Sequence, residues 1–331
     1  MIKIAFASCC RYEAFPHIPH ELKQPEWKAI QDVSPDYLFL LGDNIYMDYG
    51  VRFFSQEPVG SPEKLGLDAF EIKMNAKYSQ QFSVPNFKNL ISEMRTKNAL
   101  FATWDDHDFA WDNACGNEVP DDKKVVSTNL FKKWVLGQSE PDNSPIYRYV
   151  DLPENNPIAR FIILDNRSYS ERINLHSDGE DEFTSASEGK SMLGVEQLTF
   201  LLEKMQHDLP HTFICAGLSL TQGSENWSKY EEEYDVFSQA VDTSNSNVFY
   251  VAGDIHKNKL LKPNFKRPCY EVISSGISIN YLGLPADFDD CHNWGIIEFD
   301  INQVSVQFNK AKINDVGGIQ KIKSRTYQLL R

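Results

Sequence analysis

The chain has 331 residues, with 33 lysines and arginines against 47 aspartates and glutamates, a formal net charge of −14 at pH 7. That balance argues against a non-specific nucleic-acid binder, which needs a basic face to displace counterions from phosphates, and equally against a polybasic membrane-surface protein. With 41% hydrophobic and 24% charged residues, the chain has the make-up of a folded protein with a sizeable core, not of a disordered one.

Ile2 to Ala7 reads as a strand ending at Ser8-Cys9-Cys10. The chain runs directly into this strand, without the charged and apolar regions of a leader. Pro25 to Val33 has the pattern of a helix with proline near its start. Tyr37-Leu38-Phe39-Leu40-Leu41 is a continuous apolar run, hence a buried strand, and it ends at Gly42-Asp43-Asn44. Helices are predicted near Ala69 to Ser79 and Asn86 to Lys97. The next strand, Ala99 to Thr103, ends at Trp104-Asp105-Asp106-His107-Asp108.

A helix near Lys123 to Leu136 follows, then strands at Ile146 to Val150 and Ile158 to Leu164, the second ending at Asp165-Asn166-Arg167. Ser177 to Lys190, rich in Ser, Gly, Asp and Glu, reads as a surface loop. Gly194 to Gln206 places Leu198, Leu201, Leu202 and Met205 on one helical face. Strands are predicted at Thr212 to Ala216, Val248 to Ala252 and Tyr270 to Ser274. Trp294 to Phe299 and Gln303 to Phe308, joined around Asp300 to Asn302, form a hairpin.

Strands alternating with helices indicate an α/β layered fold, and the terminal hairpin implies mixed sheets. No repeat or linker divides the chain, so a single domain over residues 1–331 is expected. No apolar stretch approaches the ~20 residues of a spanning helix. The six cysteines form no CxxC pair and are too sparse for a disulfide scaffold. Cys215, inside an apolar run, reads as a small buried hydrophobe.

Polar clusters stand where strands end, which is where open α/β folds collect their ligands. In Gly42-Asp43-Asn44-Ile45-Tyr46-Met47-Asp48, a carboxylate just behind a turn-permitting glycine suits a metal ligand, and equally suits a helix cap. In the second cluster, Asp105, Asp106 and Asp108 repel one another unless cations or donors compensate, and His107 among them can serve as acid, base or ligand. In Ala252-Gly253-Asp254-Ile255-His256, alternate residues of an extended strand end would turn Asp254 and His256 towards one ion. Of the adjacent Cys9 and Cys10, at most one faces the site, and Cys10 reads as the buried thiol. Sulfur, oxygen and nitrogen ligands with a phenol, on four strand ends, make up a two-metal site able to clamp a phosphoryl group.

These residues resemble the PhoD-like alkaline phosphatases, a branch of the calcineurin-like metallophosphoesterases. The matching stretches include ASC (7–9), LGDNIYMD (41–48), TWDDHDFAWDN (103–113), LDNRSY (164–169), LGVEQLTFL (193–201), AGDIH (252–256), ISSGIS (273–278) and NWGIIEFD (293–300), in the family's order. The resemblance implies a four-layer sandwich, two mixed β-sheets flanked by helices, with a dinuclear centre. On that pattern Cys9, Asp43, Tyr46 and Asp254 hold one metal, typically ferric iron. Asp43 bridges to a second, held also by Asp106 and His256, with calcium expected there and zinc, manganese or magnesium as alternatives. His107 takes the position of the catalytic histidine with Asp108 as its orienter, and Arg167 and Asn113 are candidate phosphate contacts, arginine because its planar fork suits phosphoryl oxygens.

The implied reaction is hydrolysis of a small phosphoric ester by metal-bound hydroxide, without a phospho-enzyme. Monoesterase, phosphodiesterase and phospholipase-D-like activities are not separated by these motifs, and a metal-retaining binding protein without turnover is the alternative of another class. The chain departs from the family at Gly217-Leu218-Ser219-Leu220, where a polar contact is usual; Ser219 or Gln222 would have to replace it. The family's secreted form has a twin-arginine leader and a small β-domain ahead of the catalytic part. Neither stands in this sequence, so a cytoplasmic protein is expected.

Overall fold

The computed structural model describes residues 1–49, 58–140, 142, 144–173, 189–279 and 291–330. Its twelve strands form two six-stranded sheets. The first sheet has the order β12-β11-β10-β1-β2-β3, from β1 (Ile2–Ala7), β2 (Tyr37–Leu41), β3 (Leu100–Thr103), β10 (Asn293–Phe299), β11 (Val304–Ile313) and β12 (Ile319–Leu330). The second has the order β4-β5-β6-β7-β9-β8, from β4 (Arg148–Leu152), β5 (Ala159–Ile163), β6 (His211–Ala216), β7 (Asn247–Ala252), β8 (Asn258–Leu261) and β9 (Cys269–Ser274). In the first, β1, β2 and β3 run parallel while β10, β11 and β12 pair antiparallel; the second has a parallel centre and antiparallel edges, so both sheets are mixed.

Side-chain alternation explains the layering. Ile4 and Phe6 of β1, with Phe39 and Leu41 of β2, pack between the sheets against Phe161, Phe213, Phe249 and Val251. The residues between them, Ala5, Ala7, Leu38 and Leu40, point outwards under α1 (Glu26–Asp32), α2 (Leu67–Ser83), α3 (Pro85–Thr96) and α5 (Asp121–Trp134). On the far side Ile162, Ile214, Val248 and Tyr250 meet Leu201 of α6 (Gly194–Lys204) and Phe237 and Val241 of α7 (Glu231–Thr243). The result is helix, sheet, sheet, helix. No helix among the described residues is long and apolar enough to cross a membrane.

Four helices and strands lack a counterpart in the sequence reading. Helices α4 (Asp106–Phe109) and α7 and the edge strands β8 and β12 were not expected, and β11 runs on to Ile313. The loop expected over Ser177 to Lys190 lies outside the described residues except for Gly189 and Lys190.

At one end the two sheets are stitched together. Thr103 Oγ1 donates to the Leu164 carbonyl, and Trp104 Nε1 donates to Asp165 Oδ1 at 2.7 Å. Two glycines make this closeness possible. A Cβ on Gly217 would lie 2.4 Å from the Trp104 carbonyl oxygen, and one on Gly253 would lie 2.3 Å from the Leu41 carbonyl oxygen.

Candidate metal centre

The carboxyl ends of β1, β2, β3 and β7 converge on a cleft of about 390 Å³ lined by Asp43, Asp106, His107, Asn113, Asp254 and His256, among others. Four donors on its loops have left-handed backbone without being glycine: Cys9 (φ 59°), Asp43 (50°), Asp254 (72°) and His256 (58°). Such conformations cost of order 1–3 kcal/mol each and persist where the surroundings enforce them, commonly at functional sites.

Asp43 is the hub. Its Oδ2 accepts from Tyr46 Oη at 3.1 Å and from the Cys9 thiol at 3.4 Å, while its Oδ1 is buried with no hydrogen-bond partner. Tyr46 Oη also lies 3.2 Å from His256 Nε2. Two donor triads share this aspartate, Cys9–Asp43–His256 and Asp43–Asp106–His107, each with ligand atoms within 4.8 Å of one another. Cys10 turns the other way, into the apolar layer with Trp27. His256 therefore groups with Cys9 rather than with Asp106 as expected. Asp254 lines the cleft but joins neither triad among the described residues. The alternation argument for Asp254 and His256 does not hold, because their left-handed backbone is not an extended strand.

The electrostatics are those of a cation-binding site. Burial, then neighbouring acids, raise Asp43 and Asp254 well above the ordinary carboxylate range. Burial and then Asp43 likewise push the Cys9 thiol and the Tyr46 phenol up. These groups disfavour one another's negative charge, and a cation among them would reverse that preference. The unpartnered Asp43 Oδ1 and the mixed S, O and N donors fit metal ions.

His107 is buried; burial alone would lower its pKa, but Asp106, Asp43 and Asp48 outweigh it and raise it well above the ordinary value. Its Nδ1 lies 2.6 Å from Asp48 Oδ1, its ring packs on Tyr46 with centroids 4.2 Å apart, and its Nε2 lies 3.7 Å from Asp112 Oδ1. Asp108, expected to orient it, faces elsewhere: its carboxylate accepts from Ile45 N–H (3.0 Å), Asn44 Nδ2 (3.1 Å) and Asp105 N–H (3.2 Å). It caps the short helix α4 (Asp106–Phe109) and ties it to the β2 loop.

Arg167 is 3% exposed. Its guanidinium donates to Asp105 Oδ1 (2.5 Å) and Glu225 Oε2 (2.7 Å) and stands 3.7 Å from Asp106 Oδ1. Asn113 donates its backbone N–H to Asp106 Oδ2 and borders the cleft. Ser219 is buried with its hydroxyl on the Gln222 carbonyl, whereas Gln222 Oε1 accepts from Lys259 Nζ at 2.6 Å beside the cleft. Asp48, Asp105 and Glu225 were assigned no role from sequence. Asp48 could have been noticed, since it closes the same matched stretch as Asp43 and Tyr46.

The sequence matches the family model of the PhoD-like phosphatase over residues 4–287. No curated protein matches it. Among solved structures, that of PhoD is similar at 17% identity and a TM-score of 0.74, covering 99% of this chain and 70% of that one. A dimetal phosphatase from Danio rerio is similar at 9% identity and a TM-score of 0.54, covering 99% of each. At these identities the structural likenesses establish the metallophosphoesterase fold, and the activity follows from the family match together with the clustered ligand groups. The chain belongs to the PhoD-like phosphatases, metal-dependent hydrolases of phosphoric esters.

Proposed function

We propose that the cleft holds two metal ions bridged by Asp43 and hydrolyses a small phosphoric ester, with His107 as the proton donor to the leaving oxygen. The observation that carries this reading is the membership of Asp43 in both donor triads, with one buried oxygen left over. Cys9, Tyr46, Asp43 and His256 would hold the first ion, and Asp106 with Asp43 the second, with Asp254 at the edge of the cleft completing either. A thiol, a phenol and a carboxylate around one ion suit iron; an oxygen-rich second position suits calcium. When bound, such ions polarise a phosphoryl oxygen and supply a nucleophile at neutral pH.

The chain's own residues do the rest. Asp48 keeps a proton on His107 Nδ1, so that Nε2 faces the cleft as an acid. Tyr46 fixes the ring plane. Arg167 acts through Asp105 and Asp106, holding both carboxylates in place, because its guanidinium is already engaged in the fold. Lys259, steadied by Gln222, brings positive charge to the cleft for an anionic ester. Six free, buried cysteines suit a reducing compartment, and we place the protein in the cytoplasm.

Elemental analysis of purified protein, beside hydrolysis of bis-p-nitrophenyl phosphate and of the monoester, tests the reading. Two ions per chain are expected in the wild type and fewer than one in Asp43→Ala, with activity lost. An Asp43→Ala protein that still holds two ions would overturn the bridging role.

A further inference from the structure

The chain's negative balance conceals a segregated positive surface. Across the 22 residues of β11 and β12 stand Lys310, Lys312, Lys321, Lys323 and Arg325, and not one aspartate or glutamate. The strand register sets Lys312 opposite Lys321, Lys310 opposite Lys323 and Phe308 opposite Arg325. All five cations therefore share one face of the ribbon, the continuation of the face that buries Val306 and Phe308 nearer the core. Lys312, Lys321, Lys323 and Arg325 are exposed, and no carboxylate among the described residues pairs with Lys312, Lys321 or Lys323.

Like charges directly opposite one another weaken a two-stranded ribbon. Protection of an exposed edge strand would account for lysines on β12. It does not account for Lys312, because β11 is paired on both sides, with β10 and β12. The exposed members, Lys312, Lys321, Lys323 and Arg325, leave their charge available to an anionic counterpart.

Its position says where that counterpart lies. Strand β11 is antiparallel to β10, and β10 to β1, so β11 ends at the same end of the sheet as β1, where Cys9 follows. Two strand spacings separate them, roughly 10 Å. Asn258 Nδ2 donates to the Asn309 carbonyl at 3.2 Å, joining the ribbon to the segment whose Lys257 and Lys259 line the cleft.

We propose that the β11–β12 ribbon docks the protein on an anionic lipid surface, with the cleft beside the headgroups. The cations form a two-dimensional grid, roughly 7 Å along the strands and 5 Å across, which matches a planar array of charges better than a single strand in a groove. The aromatic rings of this face, Phe308 and Tyr327, pack edge to face at its inner end with centroids 5.9 Å apart, and none stands among Lys312, Lys321 and Lys323 as the kind of platform that single-stranded nucleic acid stacks upon. At the ribbon's tip Val316 is 63% exposed, an apolar contact for the interface. The net charge of −14 does not prevent this, because charges beyond about 8–10 Å are screened at physiological salt.

The test is co-sedimentation of the metal-loaded protein with phosphatidylcholine vesicles, with and without 30% phosphatidylserine. Binding is expected only to the anionic vesicles and should weaken as salt is raised. Each cation contributes roughly five-fold, so the variant Lys312→Gln/Lys321→Gln/Lys323→Gln/Arg325→Gln should bind a few hundred-fold more weakly. Its hydrolysis of soluble bis-p-nitrophenyl phosphate should be unchanged, which also reports that it is folded. Equal binding by variant and wild type would overturn the proposal, as would retention of polyphosphate or single-stranded DNA with no retention of vesicles. Binding is read without turnover, so the outcome is separable from the assignment of the metal centre.

Discussion

Asp48→Asn isolates the part of the site that acts on His107 without holding a cation. Asp48 Oδ1 lies 2.6 Å from His107 Nδ1, while its Oδ2 accepts the Asp112 N–H at 3.1 Å. Asparagine keeps the size but has only one acceptor oxygen. If that oxygen stays on Asp112, an amide N–H faces Nδ1 and selects the tautomer that cannot donate there. The charged imidazolium then loses its counter-ion, an interaction worth about 1.5–3 kcal/mol for a hydrogen bond between charged groups. That corresponds to a fall in kcat of roughly 10–150-fold.

Cations bound at Asp43 and Asp106 would take up those carboxylates and leave Asp48 as the one still supporting the ring, so the upper half of that range is expected. The assay is steady-state hydrolysis of a series of phosphate esters with leaving groups of increasing basicity. A missing acid matters little for p-nitrophenolate and much for an alkoxide, so the deficit should grow along the series while metal content stays constant. Asp108→Asn serves as the contrast. It leaves a single acceptor oxygen for two backbone N–H groups and one amide, and should cost about 1–3 kcal/mol of stability with no leaving-group dependence. A deficit that followed Asp108 along the series, and not Asp48, would refute the geometry of the acid.

Two further outcomes follow from buried groups near the centre. Cys9→Ser should change which metal is retained, or lose one ion, whereas Cys10→Ser should keep the metal content, as elemental analysis will read; the reverse would mean that the wrong thiol faces the cleft. His292 is buried against Glu26, and although burial alone would lower its pKa, Glu26 and then Cys291 carry it up to about 10. Because the folded value is raised, the stabilisation is complete below about pH 6.5, declines above it and is lost near pH 10, a few kcal/mol in all. Urea unfolding at about pH 6 and about pH 9 should show that loss in the wild type and little of it in Glu26→Gln; an unchanged slope would remove Glu26 as its source.

The strands and the acidic clusters at their ends were legible because both are local. A buried strand needs a continuous or alternating apolar run, and a turn into a site needs Gly42 or Gly253 at one fixed place. Helix α7 was equally legible in principle, since Tyr234, Phe237 and Val241 keep helical spacing behind three glutamates. What failed were inferences from adjacency in the chain. Consecutive residues on a helix point about 100° apart, so Asp108 of α4 cannot follow His107 into the cleft, and the orienting carboxylate arrives from 59 residues away. The planar fork of Arg167 was read as a phosphate contact. That the fold itself supplies the carboxylates, Asp105 and Glu225, is a property of two loops meeting, which no spacing reveals.

The same distinction changes what net charge can say about an enzyme of this kind. A sum over the sequence treats every carboxylate as a surface charge. Here burial pushes Asp105 up to about 6 and Asp108 up to about 7, and raises Asp43 and Asp254 well above the ordinary carboxylate range, so negative charge at these counted carboxylates is disfavoured unless a cation or a guanidinium joins them. Lys312, Lys321, Lys323 and Arg325 of β11 and β12, in contrast, are exposed. Lys259 borders the cleft, so an approaching phosphate meets positive charge beside the acidic centre, and within a Debye length the local order of charges outweighs their total.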